Sequence, residues 1–390
     1  MDGTADVVVI GAGVHGASTA FHLAERGARV IILEQTTLGA GATGRSSGLV
    51  RMHYDFAAES ALAWKSFEYF RDWPNRVGGE SGFVRTGFLR IVAPEHESAM
   101  RANVADQQQL GVQTSVISAA DVADMFPALS TTDFDFAAYE PDSGYADPTS
   151  VCASLIAGAR RHGAELAQGT GVEKITVEGD RVTGVQTSDG AFVSAPVVVL
   201  AAGAWSGVLA ATAGVEIDVR AWHHDTGFVT LPAAISHDAL PTLIDDINVL
   251  YFRPEGRELA LVGLEDGNRI DDLPADDSRS DPDFVDHFVE RLCRRVPAFA
   301  QAEFRGAHGG TDGFTADQRP LLGAYGPHGL VLQCGFSGTG FKIAPAVGLA
   351  LSELILEGES HSVDISVFDP GRFSAGRPIV AVRSYGDFWR

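Results

Sequence analysis

The hydrophobic and polar positions of the first sixty residues form the clearest pattern in the chain. Residues 7–10 are four consecutive apolar β-branched residues, which is typical of a parallel strand buried on both faces. A glycine-rich turn follows, and then an apolar stripe at helical spacing over residues 17–26, which Gly27 ends. A second apolar run, residues 29–33, leads into Glu34. This order predicts a strand, a helix and a second, parallel strand.

Farther along the chain, helical and strand-like patterns alternate. Helices are predicted over residues 57–73, 95–110, 148–162, 282–296 and 345–356. Strands or strand-rich stretches are predicted over residues 83–92, 134–145, 164–193, 196–203 and, in short pieces, 220–263. The pattern predicts an α/β fold, α+β overall, in which nucleotide-type segments at the start, middle and end are separated by β-rich insertions.

Composition and charge narrow the class of protein. The 390 residues are 45% hydrophobic and 21% charged, which is typical of a globular chain of two domains, or of one large domain with an insertion. The 29 basic and 51 acidic side chains give a net charge of −22, so nucleic acid is not expected as a partner. No apolar run reaches the roughly 18–20 residues of a membrane span, and the N-terminus does not resemble a signal peptide. We therefore expect a soluble protein without a membrane partner.

The cysteines carry little chemistry. Cys152, Cys293 and Cys334 form no CxxC pair and have no zinc-type spacing with histidines. Neither a disulfide framework nor a metal site is predicted, and a reducing cytoplasmic location fits best.

The turn after the first strand has the spacing of a dinucleotide-binding motif. In G-x-G-x-x-G between a strand and a helix, backbone N–H groups and the positive end of the helix dipole face a pyrophosphate. Gly11 permits the tight turn, Gly13 the close approach of phosphate, and Gly16 the close packing of helix on strand. Glu34, at the end of the second strand, can accept hydrogen bonds from a ribose diol, which disfavours NADP.

Two further glycine-rich segments favour FAD over NAD. The loop of residues 39–48 is small and polar, and Arg45 and Arg51 lie in an otherwise uncharged run, which suits a second contact with phosphates or a ribityl chain. Residues 335–342 form another glycine-rich turn before an apolar helix, where an anion can bind. A nicotinamide enzyme has no evident need for this second turn.

Together these motifs resemble the FAD-dependent amine and amino-acid oxidoreductases that include D-amino-acid oxidase, glycine oxidase and sarcosine oxidase, and they are most similar to the sarcosine oxidase branch. The resemblance covers nearly the whole chain, in matching order, through VVVIGAGVHG with Glu34, GRSSGLVRMHY, VVLAAGAWS, GFTADQRPLLG and GFSGTGFKIAPAVG. It implies a glutathione-reductase-type Rossmann domain for FAD over residues 1–84, 146–219 and 308–390. A substrate domain on a large antiparallel sheet would comprise residues 85–145 and 220–307.

The resemblance also implies site residues. Arg51 and Lys342 match the pair that clamps the substrate carboxylate, and Tyr251 matches an active-site tyrosine. A guanidinium fork and an ammonium in an apolar pocket would select an amino acid over a simple amine. The implied FAD-binding residues are Gly11, Ala12, Gly13, Val14, His15, Gly16, Glu34, Gln35, Gly44, Arg45, Ser46, Ser47, Val172, Ala202, Gly203, Trp205, Gly338, Thr339, Gly340, Phe341 and Lys342.

The chain departs from the monomeric sarcosine oxidases at two positions. Gly310 lies near the place of the cysteine that holds FAD covalently, so we expect non-covalent FAD, with His53 and His15 as minor candidates for attachment. Leu261 lies near the place of the lysine that activates O2, which leaves O2 or another electron acceptor open. Arg253 and Arg257 are candidate replacements for that lysine. The adjacent His223 and His224 are expected to be structural, with a position of one histidine in the pocket as the alternative.

The expected reaction is oxidation of the C–N bond of an amino acid, secondary, N-alkylated or primary, to an imine by hydride transfer to flavin N5. A desolvated site would keep the amine neutral. Two alternatives stay open: an FAD-dependent 2-hydroxy-acid dehydrogenase, and a flavoprotein subunit of a hetero-oligomeric oxidoreductase. The expected partners are a small amino-acid-like substrate with a carboxylate and an electron acceptor, and the chain can also form a homo-oligomer.

Overall fold

The computed structural model describes residues 3–264, 266, 269–274, 279–281 and 283–385. The outer ends of the predicted FAD-binding segments, residues 1–2 and 386–390, lie outside the described residues, as does Pro282 at the start of a predicted helix. The strands of the described part are β1 (Gly3–Thr4), β2 (Val7–Ile10), β3 (Val30–Glu34), β4 (Leu49–Val50), β5 (Val84–Arg85), β6 (Phe88–Ile91), β7 (Ser115–Ser118), β8 (Phe136–Glu140), β9 (Gly144–Tyr145), β10 (Glu165–Gln168), β11 (Val172–Glu178), β12 (Arg181–Thr187), β13 (Phe192–Ser194), β14 (Val197–Leu200), β15 (Arg220–Thr230), β16 (Thr242–Asp245), β17 (Leu250–Glu255), β18 (Leu259–Leu264), β19 (Arg269–Asp271), β20 (Phe304–Phe314), β21 (Leu321–Ala324) and β22 (Leu330–Cys334).

Helices connect and cover these strands. The α-helices are α1 (Val14–Glu25), α2 (Ala57–Phe70), α3 (Trp73–Arg76), α4 (Glu97–Gln109), α5 (Ala119–Met125), α6 (Pro148–Arg161), α7 (Ser206–Thr212), α8 (Phe284–Arg295) and α9 (Ala344–Glu357). Short 3-10 helices span Ala42–Arg45, Pro94–His96, Gly203–Trp205, His237–Ala239, Pro297–Gln301, Phe341–Ile343, Ser366–Phe368 and Pro370–Arg372. Within the described residues, no helix combines the length and apolar character that a membrane crossing requires.

A six-stranded sheet carries the glycine-rich turn. Its strand order is β10-β3-β2-β14-β22-β21, and all neighbours are parallel except β21 and β22. Val7 and Val9 of β2 pack among residues of α1, α6 and α9, whereas Val8 and Ile10 pack against the side covered by the four-stranded sheet β1-β13-β12-β11. Because both faces of β2 are covered, its sequence is continuously apolar rather than alternating.

A larger sheet stands beside the first. Its order is β19-β15-β18-β17-β16-β6-β8-β7, with β20 paired to β15, and its pairs are antiparallel except the parallel pair β16 and β6. One face packs against α5 and α8 through an apolar cluster that includes Phe252, Val262 and Phe288. The predicted α/β fold with a large, mainly antiparallel sheet is confirmed. The region predicted as short β pieces instead begins with the eleven-residue strand β15, because β15 lies inside the sheet and pairs along both edges.

The strands of the two larger sheets come from the segments that were predicted to form two domains. The six-stranded sheet takes its strands from residues 1–84, 146–219 and 308–390. The predicted boundary between residues 307 and 308 falls inside β20, which pairs with β15 along its length. The division into two domains stays a prediction.

Candidate functional site

The turn between β2 and α1 is built for close approach of backbone groups. Gly11 has a φ of +99°, and a Cβ there would lie 2.6 Å from the carbonyl oxygen of Ala201. A Cβ on Gly16 would lie 2.0 Å from the carbonyl oxygen of Gly11, so α1 packs directly on the strand end. Gly13 is the N-cap of α1 and provides no side chain to cover the helix terminus. This bare helix N-terminus fits the pyrophosphate of FAD.

Glu34 closes the same end of the site. Its Oε2 accepts a hydrogen bond from the Ala12 N–H at 3.0 Å, and its Oε1 accepts one from the Thr36 N–H at 2.8 Å. Thr43 contributes from the following loop, since its hydroxyl oxygen accepts a hydrogen bond from the Val14 N–H at 3.0 Å. The carboxylate is thereby fixed beside the glycine turn, where it can receive a ribose hydroxyl.

A cavity of about 430 Å³ extends from this turn to the large sheet. At one end it is lined by Glu34 and Val172, and at the other by Trp222 and His224 of β15. The predicted FAD-binding residues on its wall are Gly11, Gly13, Val14, His15, Glu34, Gln35, Arg45, Ser46, Ser47, Val172, Ala202, Gly203, Trp205, Gly338, Gly340 and Phe341. The structure thus brings together residues from distant parts of the chain around one cavity that is suited to FAD.

The other predicted FAD-binding residues, Ala12, Gly16, Gly44, Thr339 and Lys342, are not part of this wall. Gly44 forms a tight turn, in which a Cβ would lie 2.7 Å from the carbonyl oxygen of Gly39. The Thr339 hydroxyl donates to the Phe336 carbonyl oxygen at 2.9 Å. These residues fix the backbone around the cavity, and their direct contact with FAD stays a prediction.

Several wall residues are not among the predicted FAD-binding residues. Those from the large sheet are Trp222, His224, Gly310, Thr311 and Asp312. His224, which was expected to be structural, also lies 2.7 Å through its Nε2 from the Tyr251 hydroxyl oxygen. Period-two spacing places Trp222 with His224 on one face of a strand, and Gly310 with Asp312 on one face of another. The sequence offers no signal that these two strands pair.

Arg51 and Lys342 converge on one aromatic ring. The Arg51 Cζ lies 4.3 Å, and the Lys342 Nζ 5.3 Å, from the centroid of the Tyr54 ring. Arg51 is only 1% exposed, and Lys342 is also buried. The Tyr54 hydroxyl donates to the Thr339 carbonyl oxygen at 3.0 Å, which ties the ring to the segment that leads to Lys342. Two buried cations at one ring form a site suited to an anion such as a carboxylate.

Burial changes the acidity of this cluster. Burial, reinforced by the nearby Arg51 charge, lowers the pKa of Lys342 well below its usual value. Burial also raises the pKa of Tyr54, which keeps the phenol neutral. Behind the ring, Arg319 forms ion pairs with Asp55 at 2.8 Å and with Glu59 at 3.0 Å. The two carboxylates outnumber the Arg319 guanidinium, so this group adds net negative charge close to Arg51 and Lys342.

Tyr251 lies flat against the strand beside its own. A Cβ on Gly263, its partner in β18, would lie 2.1 Å from the Tyr251 hydroxyl oxygen, so the ring occupies the space that this glycine leaves. Tyr251 belongs to an apolar cluster with Leu49, Phe88, Ile244 and Leu261. Because Phe88 also faces the Arg51 guanidinium, Tyr251 and the two cations border one region.

Leu261, which lies near the place of the missing lysine, is 3% exposed and packs in the same apolar cluster as Tyr251. Of the two candidate replacements for the missing lysine, Arg253 pairs with Glu255, donates to the Ser47 carbonyl oxygen and lies over the Tyr145 ring. Arg257 is exposed in the turn between β17 and β18. Arg253 is directly opposite Leu261 in the antiparallel pair β17–β18, whereas Arg257 lies in the turn beyond this pair.

The candidate attachment residues have other contacts. The His15 ring stacks on Phe336 with centroids 3.4 Å apart, and burial lowers its pKa to about 3. His53 Nε2 lies 2.8 Å from the Tyr385 hydroxyl oxygen. At Gly310 a Cβ would lie 2.9 Å from the Arg45 Cβ. Among the residues that the structure describes, no group of three or more His, Cys, Asp or Glu side chains is arranged to hold a metal ion.

Comparison with known proteins places this geometry in a family context. Residues 6–354 match the family model described as FAD dependent oxidoreductase. Mitochondrial sarcosine dehydrogenase of Mus musculus is 28% identical over 95% of this chain, which spans only 41% of that protein's length. Sarcosine oxidase subunit beta of Rhodobacter capsulatus is 27% identical over 95% of this chain and 89% of that protein. Among solved structures, L-proline dehydrogenase from P. horikoshii superposes with a TM-score of 0.89 at 26% sequence identity. The match covers 97% of this chain and 100% of the chain of that structure.

Proposed function

Because this chain belongs to the FAD dependent oxidoreductase family and is an FAD-dependent enzyme, we propose that it oxidises the C–N bond of a small secondary or N-alkylated amino acid. The observation that carries the proposal is the convergence of Arg51 and Lys342 on the buried ring of Tyr54. The products would be an imine and, after its hydrolysis by water, a carbonyl compound and an amine.

Arg51 and Lys342 would hold the substrate carboxylate. A guanidinium binds a carboxylate through two parallel hydrogen bonds, and an ammonium adds a point charge. Because both cations are buried, water screens this attraction weakly, and the carboxylate end of the substrate is fixed in one orientation. A simple amine lacks the group that these side chains bind.

The other end of the substrate would lie against Tyr251, His224 and the apolar cluster around Leu261. The hydrogen bond between Tyr251 and His224 fixes both rings, and the apolar side chains exclude water. A dry pocket disfavours the charged ammonium and so favours the neutral amine that the reaction needs. When bound, FAD supplies the group that accepts the hydride.

We further propose that FAD is bound without a covalent bond. The glycine turn, Glu34 and the loops that line the cavity would hold it. Gly310 has no side chain to which the flavin could be joined, and its neighbour Arg45 occupies the space beside it. His15 and His53 are engaged with Phe336 and Tyr385.

The similarities support a secondary amine as the substrate. Mouse sarcosine dehydrogenase and the L-proline dehydrogenase are both named for amino acids whose nitrogen carries two carbon substituents. Similarity to sarcosine oxidase subunit beta favours a second candidate, in which the chain works as a flavoprotein subunit of a hetero-oligomer. The uncharged side chain of Leu261 favours an electron acceptor other than O2, whereas the buried Arg253 directly opposite it is the cation that would favour O2.

Anaerobic stopped-flow absorbance tests the proposal. The FAD-loaded protein is mixed with sarcosine, L-proline, glycine or L-lactate, and the flavin absorbance is followed before and after re-exposure to air. We expect bleaching by sarcosine or proline, slow reoxidation in air, and an apparent dissociation constant for the substrate, taken from the concentration dependence of bleaching, that is raised at least about a hundredfold in Arg51→Gln. Arg101→Gln, which removes an exposed cation, is the matched control.

Other outcomes of this experiment have defined meanings. Bleaching by lactate alone would replace the proposal with the hydroxy-acid alternative. Absence of bleaching by every compound in the panel would contradict the proposed function of the isolated chain, and recovery of bleaching with a co-purified partner would support the subunit candidate.

A further inference from the structure

Asp312 stands on the wall of the cavity, in the strand β20 that pairs with β15 at one side of the large sheet. It lies in β20 directly opposite Trp222 of β15. Gly310, two residues earlier, is opposite His224, and all four residues line the cavity. Because side chains alternate along strands, these four residues share one face of the β15–β20 pair.

The Asp312 carboxylate is held in place by backbone groups. Its Oδ2 accepts a hydrogen bond from the Gly338 N–H at 2.7 Å, and its Oδ1 accepts one from the Gly313 N–H at 2.7 Å. Within the described part of the chain, no lysine, arginine or histidine lies in ion-pair distance of this carboxylate. Burial raises the pKa of Asp312, as expected for an acid without a cationic partner.

A carboxylate that has no cationic partner within the protein, and that faces a binding cavity, can be neutralised by a cationic group of the ligand. Removing a carboxylate from water costs free energy that two backbone hydrogen bonds offset only in part. Each carboxylate oxygen has a further lone pair and can accept one more hydrogen bond. The geometry of Asp312 is therefore suited to a ligand that carries an N–H group with positive charge.

One short segment joins Asp312 to the cationic pair. Gly338 donates to Asp312, the Thr339 carbonyl oxygen accepts from Tyr54, and Lys342 reaches the same Tyr54 ring. An anionic group and a cationic group are thus held by the two ends of residues 338–342. An amino acid carries the complementary pair, a carboxylate and an amine nitrogen separated by one carbon.

We propose that Asp312 binds the amine nitrogen of the substrate and selects amino acids over the corresponding hydroxy acids. The proposal rests on the proposed function, because it assigns the second pole of the same substrate. Arg51 and Lys342 recognise what amino acids and hydroxy acids share, whereas Asp312 recognises what distinguishes them. The substrate binds as an ammonium ion, which forms a stronger charge-assisted hydrogen bond with the carboxylate than a neutral hydroxyl does. Its proton passes to the Asp312 carboxylate before oxidation, which leaves the neutral amine that the reaction needs.

A pair of ligands separates this role from a structural one. Sarcosine and methoxyacetate have nearly the same shape and the same carboxylate, but only sarcosine carries nitrogen. The dissociation constant for sarcosine comes from the concentration dependence of anaerobic flavin absorbance changes, and that for methoxyacetate from an equilibrium flavin titration. Both readouts report binding, so they do not depend on turnover.

In Asp312→Asn we expect the dissociation constant of sarcosine to rise by about 10- to 100-fold, while that of methoxyacetate stays within about twofold. Asp312→Glu, which keeps the charge, should recover part of the sarcosine affinity and carries the test if Asp312→Asn fails to retain FAD. Asp218→Asn, which removes an exposed carboxylate, should change neither constant.

Two results would overturn the proposal. An equal rise for both ligands means that Asp312 acts only by anchoring Gly338, and unchanged affinity for both means that it does not contact the substrate. Failure of the proposed function would be seen separately, as wild-type protein whose flavin no amino acid bleaches.

Discussion

At the residue scale, Lys342 shows how burial converts an ordinary side chain into a tuned one. Its ammonium is desolvated and lies near two further cations, Arg51 and Arg90, while Glu59 opposes them. A lysine in such surroundings loses its proton at a lower pH than one in water. The same burial strengthens its attraction to a carboxylate while it stays charged.

This tuning predicts the pH dependence of substrate capture. The charged form of Lys342 prevails below its lowered pKa and is lost as the pH rises through that pKa, so kcat/KM should fall on the alkaline side before the usual lysine range. Lys342→Arg should remove this limb, because a guanidinium stays protonated. Profiles of kcat/KM against pH for wild type, Lys342→Arg and the exposed-site control Lys174→Arg test this, and an unchanged limb in Lys342→Arg would contradict it.

Leu261 yields a prediction about the electron acceptor. The family resemblance implies that position 261 lies near the flavin, where an introduced cation would stabilise the negative charge that develops on oxygen, so Leu261→Lys should speed reoxidation in air by about tenfold or more. Because the site is buried, the variant should also be less stable, and Leu261→Met controls for the change in packing. Equal reoxidation rates in the two variants, measured by stopped-flow absorbance after anaerobic reduction, would count against a role for this position.

At the scale of elements, helices and strands pack so closely where they meet that there is little room for additional side-chain atoms. The N-terminus of α1 meets the end of β2 at Gly16, and α9 packs along the other side of α1. The helix predicted over residues 57–73 is α2 and ends at Phe70, and the next helix, α3, begins at Trp73 with Pro74 in its first turn. Strand β7 and helix α5 were not predicted, because their short sequences carry too few periodic positions to be distinguished from a loop.

The contact at Gly16 predicts a strong effect of one methyl group. In Gly16→Ala the Cβ would need to displace the Gly11 carbonyl or move α1, which should cost about 1–3 kcal/mol and weaken FAD retention. Gly207→Ala in α7 is the matched control, since a Cβ there meets its nearest atom at 3.4 Å. Urea unfolding and the ratio of flavin to protein absorbance measure both effects. Equal stability of the two variants would show that α1 adapts.

Tyr385 forms a second close contact between parts of the chain that are distant in sequence. Tyr385 is 5% exposed, and its hydroxyl is bound by His53 and by Asn103 of α4, at 2.8 and 2.7 Å. Tyr385→Phe leaves two buried polar groups without this partner and should lower the free energy of unfolding by about 1–3 kcal/mol. Val382→Ala, at a side chain that is 95% exposed, should have no effect. Equal urea midpoints for the two variants would argue against this anchoring.

At the scale of the whole molecule, the cavity unites segments that are far apart in sequence. Its wall contains residues from the end of β2, the loop before α2, the end of β14, the β15–β20 pair and the C-terminal glycine-rich turn. A ligand that contacts all of these binds the folded chain but not the unfolded one. The stability of the molecule is therefore linked to FAD.

This linkage predicts the result of removing FAD. Protein stripped of flavin should unfold at a lower temperature, and free FAD at a hundred times its dissociation constant should restore about 2.7 kcal/mol. Acid precipitation should release all of the flavin into the supernatant, because the binding is proposed to be non-covalent. Thermal melts against FAD concentration and flavin absorbance of the pellet provide the measurements, and a yellow pellet would contradict non-covalent binding.

The sequence by itself determined the features that a few neighbouring residues encode. The buried strand at residues 7–10, the glycines of the first turn and Glu34 follow from side-chain periodicity and backbone sterics, which act over short distances. Arg51 and Lys342 could be identified because each lies within a motif whose order and residue types resemble a known family. The charge of −22 and the composition likewise needed no coordinates.

Only the tertiary structure decided which distant residues meet. The pairing of β15 with β20 places Asp312 opposite Trp222, and the pairing of β17 with β18 leaves room at Gly263 for Tyr251 and its bond to His224. Strand register depends on turns and packing across the whole sheet, and a shift of one residue would turn Asp312 to the opposite face. The position of Arg51 and Lys342 at one ring depends in the same way on long-range packing, which no local pattern encodes.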